Sequence, residues 1–317
     1  MNPYYMLIEK IADPLIISGF VLSILGFAMF TVSLIKNRFN LKTAIFSVFC
    51  LVCLVFLTYA TYVNPFDLVT KEVTVDLKNL NSGASYKFLI VSDLHAGKFK
   101  NDSMIKKITE TINSQDDINY VLVLGDIING EEENLKYLDG LKEIDKSKKL
   151  YYVYGNHDYK NNKGGVLVDG LRSKLEGLGF EIIDNSTIEI NSEDRIILGG
   201  IEDEWSKRDE YDFYKDVDTD DVLLMLSHNP DVVMKIDKDP QLKSKTDLVL
   251  SGHTHGGEMR LPWFGSISNL PIHLPQSYDK GLFEYNDIPL YITSGIGNIG
   301  VRTRSFNNPE IIILTIK

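Results

Sequence analysis

Cysteine is almost absent from this chain of 317 residues, which contains only Cys50 and Cys53. Both lie in a long apolar run, so residues 64–317 have no thiol and disulfide bonds are excluded there. The CxxC spacing would suit a redox or zinc site. No second CxxC and no histidine lie near it, and the spacing matches one helical turn, so we favour two cysteines within an apolar helix.

Basic residues are also scarce. The chain has 33 Lys and Arg against 44 Asp and Glu, which gives a net charge of −11. The first 63 residues are slightly basic, so residues 64–317 have a net charge of −13. Nucleic-acid binding needs clustered Lys and Arg at the phosphates, so we expect no nucleic acid as a partner. A small phosphorylated ligand remains compatible with this charge, since a bound metal ion would reverse it locally.

Two long uncharged runs dominate the N-terminal region. Leu15–Ile35 and Thr43–Val63 each contain 21 residues without a charge, about the length that crosses a hydrocarbon core of roughly 30 Å as a helix. We therefore expect residues 1–63 to form a transmembrane helical hairpin and residues 64–317 to form one polar domain. A cleaved signal peptide is the main alternative, but acidic residues near the N-terminus and the second run fit it poorly.

Basic residues in short loops indicate the cytoplasmic side of a membrane. The link between the two runs contains Lys36, Arg38 and Lys42, whereas the N-terminal flank contains only Lys10. We therefore expect this protein in the cell membrane with two spans, a cytoplasmic link and an extracytoplasmic polar domain.

From residue 64 onward, short apolar segments alternate with helical patterns, which indicates an α/β layered fold. Strands are predicted at Tyr86–Val91, Val121–Leu124, Leu150–Tyr154, Ile196–Leu198, Val222–Leu226 and Leu248–Leu250. Helices are predicted at Asp102–Asn113, Glu131–Lys146, Gly165–Leu178 and from Asn229 to Ile236. After residue 280 the pattern predicts only strands, at Leu282–Tyr285, Leu290–Thr293 and Ile311–Ile316, with antiparallel character at a sheet edge.

Five of the predicted strands end in clusters of Asp, Asn, His and Gly. These clusters are Ser92–His95, Gly125–Asp126, Gly155–Asp158, Ser227–Pro230 and Ser251–Gly257, and they hold five of the six histidines. Ligands of open α/β sheets bind beyond the carboxyl ends of the strands, so we expect the clusters to meet in one crevice.

The clusters offer imidazole, carboxylate and amide oxygen atoms but no thiolate, a mixture that suits Mn, Fe or Zn. Seven candidate ligands are too many for one ion and fit two divalent ions that share a carboxylate. The seven are Asp93, His95, Asp126, Asn156, His228, His253 and His255. The sixth histidine, His273, is expected to be structural.

The motifs D-x-H, G-D, G-N-H-D, a separate His and G-H-x-H occur in this order between Tyr86 and Ser294. They resemble the calcineurin-like metallophosphoesterase superfamily, which implies a layered β-sandwich flanked by helices and a metal-dependent hydrolase of phosphoric ester or anhydride bonds. The run from His253 to Pro262 is similar to the membrane-tethered YkuE/YaeI-like branch, related to UDP-2,3-diacylglucosamine hydrolases. That branch usually has Gln where this chain has Glu258, a departure that bears on substrate preference rather than metal binding.

The resemblance implies a role for each candidate residue. It assigns the first metal ion to Asp93, His95 and His255 and the second to Asn156, His228 and His253, with Asp126 bridging both. It also implies that His157 is the acid or transition-state donor beside the leaving group. Asp158 either orients His157 or is a simple loop carboxylate. Two ions at such a site would stabilise a bridging hydroxide that attacks phosphorus.

The loop after the last motif, from Arg260 to Lys280, is long, proline-punctuated and apolar. Either it packs on the domain core, or it forms a rim that meets acyl chains or the bilayer surface. Candidate groups for a substrate phosphate are Arg260, Arg302 and Arg304, which are otherwise ordinary loop charges.

The sequence thus predicts a membrane-anchored, dinuclear metal-dependent phosphoesterase. Its expected partners are the bilayer and a phosphorylated small-molecule or lipid substrate, with hydrolysis at a phosphodiester or pyrophosphate bond of a lipid-linked or envelope compound. One alternative is a UDP-2,3-diacylglucosamine-type pyrophosphate hydrolase with a cytoplasmic domain. Another is a non-catalytic metal-binding scaffold. The substrate, the metal and the oligomeric state are left open.

Overall fold

Two long helices open the chain in this computed structural model. Helix α1 spans Pro3–Ile35 and helix α2 spans Leu41–Thr58, which continues as a π-helical turn at Tyr59–Val63 and a 3₁₀ turn at Asn64–Phe66. The structure describes residues 3–36, 40–81, 83–97, 99–129, 132–159 and 170–317, with side chains from residue 14 onward. The predicted link therefore lies partly outside the described residues, and so does Arg38.

The two helices pack against each other as an antiparallel hairpin, because Gly19 faces Leu57 and Gly26 faces Cys50. A Cβ atom at Gly26 would overlap the Cys50 sulfur, so small residues set the close approach of the helices. Both cysteines are free thiols. Apart from this shared face, most of the apolar side chains are exposed, and both helices are long and apolar enough to cross a membrane.

Twelve strands of the polar domain form two six-stranded sheets. The first sheet contains β1 (Val69–Val75), β2 (Tyr86–Val91), β3 (Tyr120–Leu124), β4 (Lys149–Val153), β5 (Phe180–Ile182) and β14 (Glu310–Ile316). The second contains β6 (Ser186–Asn191), β7 (Ile196–Ile201), β8 (Val222–Ser227), β9 (Thr246–Ser251), β12 (Gly281–Tyr285) and β13 (Ile288–Ile292). The strand order in the first sheet is β1-β14-β2-β3-β4-β5 and in the second β12-β13-β9-β8-β7-β6. Two short strands, β10 (Arg260–Leu261) and β11 (Gly265–Ser266), form a separate hairpin.

The centre of each sheet is parallel. Strands β2 to β5 run parallel in the first sheet, and β7, β8, β9 and β13 run parallel in the second. Antiparallel pairing is found at β14–β2, β6–β7 and β12–β13, which confirms the antiparallel character expected after residue 280. The carboxyl ends of the parallel strands therefore share one edge of each sheet.

The two sheets stack face to face around a common apolar core. This core contains Phe88, Ile90, Leu122 and Leu124 from the first sheet and Leu198, Leu224, Leu248 and Leu250 from the second. Helices α3 (Asp102–Asn113) and α4 (Leu171–Gly177) and a 3₁₀ helix at Glu132–Glu143 cover the outer face of the first sheet. Helices α5 (Val232–Ile236) and α6 (Pro240–Lys245) cover the second. The expected layered β-sandwich flanked by helices is thus confirmed.

Several element boundaries differ from the sequence prediction. The predicted α-helix at Glu131–Lys146 is a 3₁₀ helix, and the first residues of the predicted helix at Gly165–Leu178 lie outside the described part of the chain. Helix α5 begins at Val232, two residues later than predicted, although the Asn229 side-chain oxygen accepts a hydrogen bond from the Asp231 amide (2.9 Å), as an N-cap residue does. Strands β1, β5, β6, β10 and β11 were not predicted.

Candidate metal centre

The ends of five strands meet at one place between the two sheets. Strands β2, β3 and β4 of the first sheet lead into Asp93, His95, Asp126, Asn156, His157 and Asp158, and strands β8 and β9 of the second lead into His228, His253 and His255. None of these nine residues is more than 8% exposed. The structure therefore brings the predicted clusters together, with one part of the site from each sheet.

The backbone at the site is strained where the strands end. Five site residues have φ angles between 44° and 70°, in the left-handed region that non-glycine residues seldom adopt. They are Asp93, His95, Asp126, His253 and His255. Such strain costs of the order of 1–3 kcal/mol per residue and persists only where surrounding packing enforces it, which is typical of functional sites.

Two motif glycines are required by close contact with the carboxylates. A Cβ atom at Gly155 would overlap Asp126 Oδ1, and one at Gly252 would overlap the hydroxyl of Ser92 and Asp93 Oδ2. The glycines of G-N-H-D and G-H-x-H therefore let the backbone approach the carboxylates that the site needs.

Asp93 lies between two groups of imidazoles. Its Oδ1 is 3.3 Å from His255 Nε2, 4.0 Å from His95 Nε2 and 3.9 Å from His228 Nε2. The Ser92 hydroxyl donates to its Oδ2 at 2.6 Å. The His253 amide donates to both carboxylate oxygens at 3.2 Å. These donors fix the carboxylate in place.

Asp126, which follows β3 of the same sheet as the strand before Asp93, is held by a backbone donor. Its Oδ1 accepts a hydrogen bond from the His157 amide at 2.7 Å. Its Oδ2 lies 3.1 Å from His228 Nε2 and 3.6 Å from His95 Nε2, but has no well-aligned hydrogen-bond donor among the described residues. Such a buried, incompletely satisfied carboxylate oxygen is suited to a cation.

Backbone and side-chain partners orient several of the imidazoles toward the centre. Nδ1 of His228 donates to the Leu124 carbonyl (2.8 Å), and Nε2 of His253 donates to the Pro271 carbonyl (3.1 Å). Nδ1 of His255 lies 3.4 Å from a carboxylate oxygen of Glu258. Partners on the outer ring nitrogen are characteristic of metal-binding histidines, because they leave the other nitrogen free to ligate.

The inward-facing nitrogens lie close to one another in pairs. His95 Nε2 is 3.2 Å from His255 Nε2, and His253 Nδ1 is 3.2 Å from His228 Nε2. Two groups of residues have ligand atoms close enough to hold an ion each: Asp93, His95 and His255, and Asp93, Asp126 and His228. Imidazole and carboxylate donors at this spacing fit divalent metal ions.

The protonation equilibria are shifted in the direction that favours neutral imidazole. Burial lowers the pKa of His95 and of His253 to about 3, and it also holds the pKa of His255 well below its ordinary value. Neutral imidazole is the form that binds metal ions. His228 differs: burial opposes its charged form, but Asp126 and Asp93 outweigh burial and raise its pKa to about 10.

The two carboxylates of the centre differ in their pKa. Burial, although opposed by His228, raises the pKa of Asp93 to about 6. Burial acts in the same direction on Asp126, but the adjacent imidazoles of His228 and His157 keep the pKa of Asp126 well below its usual value. An ionised Asp126 is therefore the more strongly favoured anion of the two.

The G-N-H-D residues are buried beside the centre. Oδ1 of Asn156 has no hydrogen-bond partner among the described residues, and the His157 ring stands edge-on to His95 with centroids 5.0 Å apart. Asp158 accepts hydrogen bonds from the amides of Gly155 (2.8 Å), Asp126 (2.9 Å) and Ile127 (3.0 Å) and from the Tyr152 hydroxyl. Asp158 thus fixes the loop that carries Asp126, a role that the sequence did not suggest.

The three candidate arginines have different surroundings. Arg304 is 0% exposed and its guanidinium donates to the carbonyls of Ser294 (2.8 Å) and Gly297 (2.6 Å). These contacts hold the backbone of the loop, and substrate binding by Arg304 stays a prediction. Arg260 is paired with Asp279, and Arg302 is exposed and lies over the Phe99 ring. Substrate binding by Arg260 and Arg302 stays a prediction.

Three site neighbours were not singled out from the sequence as parts of the site. Asp203, just after β7, is fully buried, and burial raises its pKa to about 6. Trp205 stands edge-on to His253 with centroids 4.7 Å apart and is 43% exposed. Ser92 bonds to Asp93. The sequence signal that could have identified Asp203 was that β7, like the strands before Asp93 and Asp126, is followed by acidic residues.

One part of the loop from Arg260 to Lys280 packs on the domain and another part is exposed. Leu270 is buried and Ile272 packs on the core of the second sheet, whereas Trp263 and Phe264 point into solvent. The side chain of His273 is exposed, outside the cluster of metal-binding candidates.

Comparison with known proteins identifies relatives with the same domain. The chain is 28% identical over 262 residues to an uncharacterized metallophosphoesterase of Aquifex aeolicus, which is 79% of this chain and 92% of the relative. It is 26% identical over 263 residues to the uncharacterized metallophosphoesterase YkuE of Bacillus subtilis, 80% of this chain and 87% of YkuE. It is also 26% identical over 267 residues to a transmembrane protein with metallophosphoesterase domain of Danio rerio, 80% of this chain and 58% of that protein.

Longer relatives from Campylobacter jejuni and Helicobacter pylori also match, and the chain spans 63% of their length. The sequence profile of the calcineurin-like phosphoesterase family matches residues 86–257, more than half of the chain, and this range includes all nine site residues. These findings confirm the resemblance seen in the motifs. The chain belongs to the calcineurin-like phosphoesterase family and is a metallophosphoesterase, a hydrolase of phosphoric ester bonds.

Proposed function

We propose that this protein is a membrane-anchored phosphoesterase that uses two divalent metal ions to hydrolyse a phosphodiester or pyrophosphate bond of a lipid-linked or envelope substrate. The observation that carries the proposal is the pairing of inward-facing imidazole nitrogens 3.2 Å apart beside Asp93 and Asp126. Family membership supports the reaction class. In this proposal residues 1–63 are the anchor and residues 64–317 the hydrolase domain.

The donor set supports two ions of Mn, Fe or Zn. One ion would be held by Asp93, His95 and His255, and the other by Asn156, His228 and His253, with Asp126 between them. Asp93 also lies within 4.0 Å of imidazoles from both sets, so it is a second candidate for the bridging position. Bound ions would supply positive charge against the phosphoryl oxygens and would acidify the attacking water.

The remaining residues would position groups and move a proton. His157 would donate a proton to the leaving oxygen, a role suited to an imidazole at the edge of the site. Its backbone amide also holds Asp126 Oδ1. Asp158 keeps the loop of Asp126 in register through three backbone amides, and in this proposal it also orients His157.

Removal of metal should abolish hydrolysis. We expect full-length protein in detergent to contain about two divalent ions per chain, and to lose hydrolysis of bis(p-nitrophenyl) phosphate after dialysis against a chelator. Addition of Mn²⁺, Fe²⁺ or Zn²⁺ should restore the activity, and elemental analysis should follow the same course. Undiminished hydrolysis by metal-free protein would contradict the proposal.

The same preparation discriminates between the alternatives. A panel of phosphomonoesters, phosphodiesters and nucleotide-linked lipids separates an envelope phosphodiesterase from a UDP-2,3-diacylglucosamine-type hydrolase. Stoichiometric metal without turnover of any member of the panel would favour the non-catalytic scaffold.

The anchor and its orientation are tested independently of activity. The basic residues Lys36, Arg38 and Lys42 in the link favour a cytoplasmic link and an extracytoplasmic domain. A reporter enzyme that works only in the cytoplasm should therefore be inactive when fused after Lys317, and a reporter that needs export should be active. The reverse pattern would place the domain in the cytoplasm, and recovery of the full chain in the soluble fraction would exclude the anchor.

A further inference from the structure

The most exposed apolar side chains described in residues 64–317 lie at the tip of the β10–β11 hairpin. Trp263 is 98% exposed and Phe264 is 84% exposed. The backbone of Trp263 has a φ of 68°, an outlier for a bulky residue. Exposed apolar side chains on an ordinary protein surface are usually scattered singly. Two adjacent aromatic rings that a strained turn holds in solvent are instead typical of a binding surface.

The base of this hairpin is fixed to the domain. Arg260 pairs with Ser266 across the hairpin, and its guanidinium donates to the Gly256 carbonyl at 3.0 Å and is paired with Asp279. On the other side, the Arg260 amide donates to the Ser305 carbonyl at 3.0 Å, and the Ser305 hydroxyl donates back to the Arg260 carbonyl at 3.0 Å. The tip is therefore carried on a rigid base next to the metal centre.

The segment that holds the hairpin base also holds the end of α2. The Arg304 amide donates to the Ala60 carbonyl at 2.9 Å, and the Phe306 and Tyr59 rings lie 5.8 Å apart. The Asn307 amide donates to Asn64 Oδ1 at 3.3 Å. Residues 59–64 belong to the second apolar stretch, Leu41–Phe66, that is long enough to span a membrane. One short segment thus joins the hairpin to the end of this stretch.

Few residues connect the tip to the end of α2. Trp263 is three positions after Arg260, at most about 10 Å of extended chain. Arg260 is bonded to Ser305, and the adjacent Arg304 is bonded to Ala60. Tyr62 and Val63 near this end are 64% and 52% exposed, so apolar surface continues from α2 toward the domain.

The charge around the tip is compatible with lipid headgroups. The stretch from Leu261 to Leu270 contains no charged residue, although the domain as a whole is acidic. Arg302, four residues before Phe306, is exposed. The tip can therefore enter a surface of phosphate groups without burying an anion there.

We propose that Trp263 and Phe264 insert into the headgroup region of the same bilayer that holds α1 and α2. The inference rests on the membrane anchoring of the proposed function and adds to it a second contact between the domain and the bilayer. Indole and phenyl rings favour the membrane interface. Four residues separate His255 from the hairpin, and the Arg260 guanidinium is bonded to the Gly256 carbonyl, so this contact would hold the metal centre close to the membrane surface and to its headgroup phosphates.

Quenching by brominated lipids tests the contact directly. The full chain is reconstituted into vesicles of phosphatidylglycerol and phosphatidylethanolamine with bromine on the acyl chains near the headgroup. The chain has two tryptophans, Trp205 and Trp263. We expect Trp205→Phe, which retains Trp263, to lose most of its emission to the bromolipid, and Trp263→Phe, which retains Trp205, to lose little.

Two further measurements interpret a negative result. If acrylamide in water quenches Trp263 and bromolipids do not, the tip lies in solvent and the inference is wrong. If neither agent quenches it, a second copy or the domain itself covers the tip, which also overturns the inference.

Quenching does not require turnover, so lipid contact without metal-dependent hydrolysis would refute the proposed function alone. Hydrolysis without lipid contact would refute this inference alone. Leu282→Ser is the control for a general effect of exposed apolar side chains on lipid contact. Leu282 is exposed on β12, outside the hairpin and the site, so this substitution should leave the quenching unchanged.

Discussion

Replacement of Asp126 by Asn should lower metal-dependent phosphodiester hydrolysis by about 10³-fold or more. The carboxylate lies 3.1 Å from His228 Nε2 and 3.6 Å from His95 Nε2, between the two groups of imidazoles. An amide removes the negative charge that would hold two cations together while it preserves the side-chain volume. Elemental analysis should find fewer than two ions per chain, in parallel with the loss of rate.

His228→Ala should have a comparable effect, since it removes a ring that the Leu124 carbonyl aims at the centre. His273→Ala is the matched control, because the His273 side chain is exposed and outside the cluster, and it should keep both metal and rate. Full activity in Asp126→Asn or in His228→Ala would refute the site.

His157→Ala separates the chemical step from metal binding. This variant should lose roughly 10²–10⁴-fold in rate while it retains its metal.

Replacement of Asp158 by Ala should produce the largest loss of stability in the domain, about 3–5 kcal/mol. The carboxylate is fully buried and accepts hydrogen bonds from three backbone amides and from the Tyr152 hydroxyl. Alanine leaves these donors buried without partners. The expected cost is a large part of the free energy of unfolding of a typical domain, which is about 5–15 kcal/mol. Thermal unfolding of the full chain in detergent, followed by tryptophan fluorescence, measures the loss.

Asp145→Ala is the matched control for this prediction. Asp145 also accepts a hydrogen bond from a backbone amide, that of Ser147 at 2.8 Å, but it is exposed, so water replaces the carboxylate and the expected loss is below about 1 kcal/mol. An Asp158→Ala protein as stable as the Asp145→Ala protein would contradict the role of Asp158 in fixing the Asp126 loop. If Asp158 only oriented His157, rate would fall and the unfolding temperature would not.

Local chemistry made most of the candidate site predictable. Apolar segments such as those before Asp93 and Asp126 identify buried strands, and polar residues at strand ends cannot be explained by packing. The sequence predicted that the clusters of Asp126 and His228 meet, but not that they come from different sheets, because no local pattern states which strands share a sheet. The burial of Arg304 against the carbonyls of Ser294 and Gly297 was not predictable either, because no sequence pattern states which charged loop residue the fold encloses.

The edges of the fold were less predictable than its centre. Strand β1 was missed because most of its side chains are exposed, so its sequence lacks the apolar signature of a buried strand. It is a strand only because it pairs with β14, which is more than 230 residues away in the chain. Strand β5 has three residues, too few for a period to be recognised.

The sequence by itself determined the α/β class, the two apolar helices, the order of the motifs and the types of ligand, because these depend on periodicity, length and functional groups that each residue carries locally. The tertiary structure alone decided that two sheets contribute to one centre, that Asp158 holds the Asp126 loop, that Arg304 is buried against two loop carbonyls, and that Trp263 stands exposed on a hairpin whose base is bonded to the segment that holds the end of α2. These features depend on contacts between distant segments, and such contacts exist only after the chain has folded.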